Sequence, residues 1–205
     1  RRAEPLPKLA EVLTQLAELY LNWPTQTYSF LALRYAREAE GVAKNFTIDC
    51  RCRATITLAH AESDPHLSLA YANQALELAT QLNNLEAIVN SHHARGLAFI
   101  DLGQTEEARE AFTLACQLAE EHGLMLEATK YGLELDRLNN DLESARKRVK
   151  WFEEHGLMNG VNIAKRYFPE LAQSAKTNEP TSDTLPQLNV LGKMQFNCGG
   201  KMSTV

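Results

Sequence analysis

Four cysteines in 205 residues, Cys50, Cys52, Cys116 and Cys198, are too few and too scattered for a disulfide framework. Cys50-x-Cys52 has no second pair and no histidine at zinc spacing, so the thiols read as reduced and structural. No metal and no cofactor is expected. Seven prolines and ten glycines exclude collagen and low-complexity disorder. No run of eighteen apolar residues occurs, and Arg1-Arg2-Ala3-Glu4-Pro5 precedes no apolar signal core, so the chain reads as cytoplasmic, without a membrane partner. It begins without Met, which reads as a piece of something longer. A net charge of −5 lacks the cationic surplus of a nucleic-acid glove, so no direct nucleic-acid contact is expected from this stretch. A Gly-rich phosphate loop, a His-Glu-x-x-His helix and a nucleophile elbow are all missing, so no catalytic residue is assigned and no enzyme is expected.

What is present is a helical period that repeats. Tyr35-Ala36-Arg37-Glu38-Ala39 recurs as Tyr71-Ala72-Asn73-Gln74-Ala75 at an offset of 36, and Ala111-Phe112-Thr113-Leu114-Ala115 follows 40 further on. Leu85-Glu86-Ala87 returns as Leu126-Glu127-Ala128, and Glu120-Glu121-His122-Gly123 as Glu153-Glu154-His155-Gly156, at offsets of 41 and 33. The fourth unit is therefore about eight residues shorter inside, with its loop or first helix trimmed. Breakers fall where hairpin turns belong: Trp23-Pro24-Thr25, Ser63-Asp64-Pro65 with Asp64 as N-cap and Pro65 at the first helical position, Gly103-Gln104-Thr105, and Asn139-Asn140-Asp141. These signals predict helix pairs at 7–22 and 26–44, 47–62 and 65–82, 85–101 and 105–122, and 124–138 and 141–155. A ninth helix is expected over 160–175, with Val161, Ala164, Phe168, Leu171 and Ala175 on one stripe.

In the third unit Gly96, Phe99, Gly103, Ala108, Phe112 and Ala115 resemble the tetratricopeptide repeat, whose small residues let two helices approach while an aromatic fills the gap between them. Phe99 and Phe112 are accordingly expected to be buried. The longer period and Ala-rich second helices resemble the regulatory helical arrays of bacterial signal-transduction ATPases and transcription regulators of the maltose-activator kind. His92 stands at the usual Trp position, and units one and four read as lacking the glycines. The resemblance implies an all-α fold over 1–175, a right-handed superhelix of antiparallel helix pairs, with Ala36, Ala39, Ala72, Ala75, Ala108 and Ala115 at the close approaches.

Stacked helix pairs offer a concave surface lined by the first helix of each pair. The third unit's register places Asn90, His93, Leu97 and Asp101 there, with Cys50, Arg53, Thr57 and His60 as second-unit counterparts, and Lys130, Glu134 and Arg137 in the fourth. That mixed polar lining suits a protein loop, a peptide or a small effector, although an ordinary solvated face has the same composition. His92 and His93 are adjacent, about 100° apart on a helix, so they read as one packed histidine and one facing the groove and do not chelate one metal. Arg146-Lys147-Arg148 with Lys150 lies among Glu143, Glu153 and Glu154 and reads as a solvated outer face laced by ion pairs.

Composition shifts after Ala175: 176–186 carries Pro180 and Pro186 and no apolar stripe, as a linker does. Over 187–205 the period becomes 2, with Leu188, Val190, Gly192, Met194, Phe196 and Cys198 on one side and Gly199-Gly200 as a turn, predicting a short C-terminal β segment that starts a further domain. Leu188 to Phe196 resembles the opening strand of the winged-helix unit of bacterial transcriptional activators, which implies a DNA-binding domain in the full-length protein. The uncovered strand edge is also expected to support a homodimer. Three readings of function stay open: an effector- or partner-binding module of a larger transcription or signalling regulator, a stand-alone repeat adaptor, or the helical arm of an ATPase whose catalytic site lies outside the chain.

Overall fold

The computed structural model describes residues 7–22, 26–173, 195–198 and 201–204. Ten helices occur among them: α1 (Pro7–Leu21), α2 (Gln26–Ala43), α3 (Ile48–Ala61), α4 (Pro65–Gln81), α5 (Leu85–Asp101), α6 (Thr105–Glu121), α7 (Met125–Asn139), α8 (Leu142–Glu154), α9 (Met158–Tyr167) and α10 (Glu170–Gln173). Each helix packs on the next as far as α9, and the odd helices also pack on one another, α1 on α3, α3 on α5, α5 on α7 and α7 on α9. That second set of contacts turns a chain of hairpins into a stack, with the odd helices forming one wall. None of the described helices is long and apolar enough to cross a membrane.

Local chemistry sets the boundaries. Asp64 caps α4, its carboxylate accepting from the His66 and Leu67 amides, and Pro65 begins the helix, as expected. Thr47, Asn84 and Asp141 cap α3, α5 and α8 in the same way. The hairpin between α7 and α8 turns at Asn140, in the left-handed region at φ 53°, and that between α5 and α6 at Gly103, φ 74°. Trp23-Pro24-Thr25 lies outside the described residues.

Alanines make the close approaches. Ala36, Ala39, Ala72, Ala75, Ala108 and Ala115 are all fully buried, as the repeat implied. Where an odd helix from α5 onward carries glycine, a neighbouring even helix lays a large side chain over it, α6 over α5 and α8 over α9. A Cβ on Gly96 would sit 2.5 Å from the Phe112 ring, and one on Gly160 would sit 2.7 Å from the Phe152 ring. Phe112 is fully buried, whereas Phe99 is only half-buried, with the Arg95 guanidinium 5.8 Å from its ring centroid.

Four further expectations need correction. The fourth unit does carry its glycine: Gly132 lies 36 residues after Gly96, and Arg148, 36 after Phe112, takes the aromatic's place above it. Arg148 is therefore no outer-face residue. Its Nε donates to Asp136 Oδ2 at 2.8 Å, while Arg146 and Lys150 do make the solvated pairs, with Glu143 and Glu154. The shortening of the fourth unit falls mostly on its second helix, α8 having 13 residues against 17 in α6, while α7 has 15 against 17 in α5. The ninth helix stops at Tyr167 because Phe168 precedes a proline and takes an extended conformation, φ −128° and ψ 85°.

The chain divides into two compact units, Arg1–Phe168 and Pro169–Val205. The second contains α10 and two short strands, β1 (Gln195–Cys198) and β2 (Lys201–Thr204), paired antiparallel with Phe196 opposite Ser203. Of the strand expected over 188–198, residues 188–194 lie outside the described residues, as do 176–186 and Ala175.

Candidate functional site

The odd helices α1 and α3 each carry a mostly polar stripe beside the small residues that pack, and part of that stripe is itself buried, as Thr14 and Thr57 are. On α1 that stripe is Glu11, Thr14 and Glu18, at i, i+3 and i+7, continued by Leu21; on α3 it is Cys50, Arg53, Thr57 and His60. These two stripes border two hollows. The first, about 660 Å³, lies at the N-terminal end of α3 and takes Glu11, Thr14, Cys50 and Arg53. The second, about 600 Å³, is lined from all five odd helices of the stack: Glu18 and Leu21 of α1, His60 of α3, His93 of α5, Lys130 and Glu134 of α7, and Asn159, Ile163 and Arg166 of α9. Midway between them the Thr57 hydroxyl donates between Glu18 Oε1 (3.2 Å) and the Arg53 carbonyl (3.1 Å).

An aromatic stack forms one wall of the second cavity. The His93 ring lies 4.0 Å from Tyr131 at 16° between planes, 5.3 Å from His60 and 5.6 Å from Phe112. Tyr131 donates its hydroxyl to Asn90 Oδ1, which fixes the ring and gives the Asn90 carbonyl a partner on α7. Lower on α7, the buried Glu134 accepts from Arg137 Nε at 3.1 Å and from the Tyr167 hydroxyl at 2.6 Å, and the Arg137 guanidinium lies 4.7 Å from the Tyr167 ring centroid. Burial raises the pKa of both tyrosines, so both hydroxyls keep their protons.

Of the residues singled out from the sequence, the second cavity thus brings together His60, His93, Lys130 and Glu134. Arg53 faces the first hollow. Thr57 and Asn90 are spent on internal hydrogen bonds, Leu97 is half-buried, and Asp101 is exposed at the last residue of α5. His92 is the packed member of its pair, 3.3 Å from Arg95 Nη1. The cavity residues on α1 and α9 lie outside the expected groove. The polar stripe Glu11-Thr14-Glu18 was a legible signal for α1; for α9 there was none, because only the curl of the stack carries Asn159 and Arg166 to the same cavity as Glu18.

Burial holds His60, His92 and His93 neutral. The pKa of His60 and of His92 is pushed down to about 4 by burial, Arg95 adding to the effect at His92. That of His93 is lowered well below the ordinary value, by burial first and then by His60 and Lys130. An unfolded chain, with histidines near 6.5, takes up protons that the folded one refuses. Their stabilisation is thus complete above about pH 6.5 and is lost as pH falls toward 4, at roughly 1 kcal/mol per unit for each histidine. The urea midpoint should fall from pH 7.5 to pH 5, and His60→Gln with His93→Gln should flatten that slope; an unchanged slope would mean that both rings are solvated.

Cys52 and Cys116 are buried, their pKa values raised to about 11 and about 12 mainly by burial, so both stay as unreactive thiols. No group of three or more His, Cys, Asp or Glu side chains among the described residues is placed to hold a metal ion.

The chain matches no protein-family model and no curated protein. Solved structures do share its fold. A Rap protein complexed with competence and sporulation factor matches at TM-score 0.60 and 20% identity, over 84% of this chain and 46% of that one. The apo form of RapI matches at 0.57 and 17%, over 85% and 62%. Aspartyl phosphate phosphatase F from Bacillus subtilis matches at 0.57 and 16%, over 83% and 49%. The chain therefore spans about half the length of these structures, and the likeness is one of a helical-repeat fold.

Proposed function

We infer that the chain is a non-enzymatic helical-repeat module, a right-handed stack that binds a peptide or an extended segment of a partner protein in the cavity between its odd helices. It belongs on this reading to a larger bacterial transcription or signalling regulator, with the C-terminal β segment opening a further, DNA-binding domain. The observation that carries the binding function is the second cavity, to which all five odd helices contribute. Tyr131 and Glu134 of its lining are held in place by bonds to Asn90 of α5 and Tyr167 of α9, so an entering chain meets a wall that is in part already ordered. A Rap structure solved in complex with competence and sporulation factor supports a binding role for this fold.

The test is affinity selection from a mixed hexapeptide library on the immobilised full chain. Wild type should retain a defined subset, and Asn159→Trp, which plants a ring in the cavity from an exposed position on α9, should lose it. Glu77→Trp, on exposed α4 surface, should retain it. Equal retention by all three proteins would refute the assignment.

A further inference from the structure

We propose that the ligand of this cavity carries a carboxylate, clasped between Lys130 of α7 and Arg166 of α9. This rests on the binding function proposed for the cavity and adds the chemistry of what it selects. Four charged side chains line the cavity, Glu18, Lys130, Glu134 and Arg166. Glu134 is already answered within the protein, by Arg137 and the Tyr167 hydroxyl. Glu18 accepts from Thr57 on the α1 side. Lys130 and Arg166 have no anionic partner among the described residues, and the two histidines beside them are neutral at pH 7 and contribute no competing cation.

Unpaired cations on a helical protein surface are ordinary; two that line the same partly enclosed cavity are less so. Five other arginines of the stack show the paired alternative. Arg37, Arg109, Arg137, Arg146 and Arg148 are each matched by a carboxylate. Lys130 also stands near the His93–Tyr131 stack, so a carboxylate bound to it would place its carrier's apolar atoms against a flat aromatic wall. Glu18, on α1, disfavours a second anionic group on that side. The ligand is then an acid at one end and neutral or cationic toward α1.

Such a carboxylate has two sources in a peptide, the C-terminus or an Asp or Glu side chain. The experiment uses four mixed hexapeptide libraries, with free or amidated C-termini and with or without Asp and Glu, presented to the full chain and to Lys130→Ala/Arg166→Ala. Both residues are exposed, so the variant should melt with wild type. Wild type should retain carboxylate-bearing peptides at least about tenfold over peptides without one, and the variant should lose that preference. Loss on amidation alone assigns the C-terminus; loss on removal of Asp and Glu alone assigns the side chain. Wild-type retention that ignores both carboxylates, or an unchanged preference in the variant, overturns the clasp and leaves the cavity as a binding site. Retention of nothing by wild type overturns both.

Discussion

Replacing Phe112 by Ala should cost about 3–5 kcal/mol, a drop on the order of 10 °C in melting temperature for a chain of this size. Phe112 is fully buried and its ring lies in the space that a Cβ on Gly96 would occupy. Deleting the ring removes its buried area and opens a void between α5 and α6 that two packed helices cannot close without moving. The pair of residues makes the prediction sharper than a single substitution does. Gly96→Ala in the wild type should destabilise by about 1–3 kcal/mol, because the new methyl meets the ring. In the Phe112→Ala background the same methyl enters empty space and also raises helix propensity, so it should be neutral or stabilising. Additive losses would show that the two side chains do not meet.

The second large effect lies where the repeat departs from its own rule. Arg148 occupies the place of Phe112 over Gly132, and its charge is matched by Asp136, which is 5% exposed. Arg148→Met keeps much of the volume and removes the partner, leaving a buried carboxylate unpaired at a cost of about 3–5 kcal/mol. Burial already raises the Asp136 pKa, against the lowering effect of Arg148, and without Arg148 it rises further. A carboxyl with a raised folded-state pKa destabilises above that pKa and ceases to do so as it protonates. The variant's deficit should therefore be greatest near pH 7 and shrink as pH falls toward 4. Asp136→Asn in the same chain should recover much of the loss at pH 7. A deficit that is independent of pH would mean that Arg148 acts through packing alone.

Periodicity made the stack legible because its requirements are local. Ala36, Ala72 and Ala108 stand 36 apart, and Asp64-Pro65 or Asn140 mark turns through their own backbone preferences. The register between repeats was harder to read. α3 and α5 begin 37 residues apart at Ile48 and Leu85, whereas α4 and α6 begin 40 apart at Pro65 and Thr105, so a single offset misaligns one set. A slip of three residues moves a position along the helix by one turn but rotates it by only about 60°, so the predicted groove residues still share a face while their opposite numbers change. In the fourth unit, echoes at offsets of 41 and 33 concealed the true 36 that relates Gly132 to Gly96. What no periodicity encodes is who meets whom across the stack. Tyr131 reaches Asn90 over 41 residues, Thr57 reaches Glu18 over 39 and Tyr167 reaches Glu134 over 33. Those bonds give Thr57 and Asn90, both expected in the groove from the sequence, partners within the protein.

The central claim, that binding takes place inside the stack, is tested most directly by photo-cross-linking. A peptide retained in the library selection, resynthesised with a benzophenone side chain, is irradiated on the full chain and its attachment sites are mapped by mass spectrometry. The account predicts attachment on α3, α5, α7 and α9 at cavity residues such as His60, His93, Lys130 and Ile163. Attachment confined to Asn73, Glu77 and Gln81 on the exposed surface of α4 would contradict it.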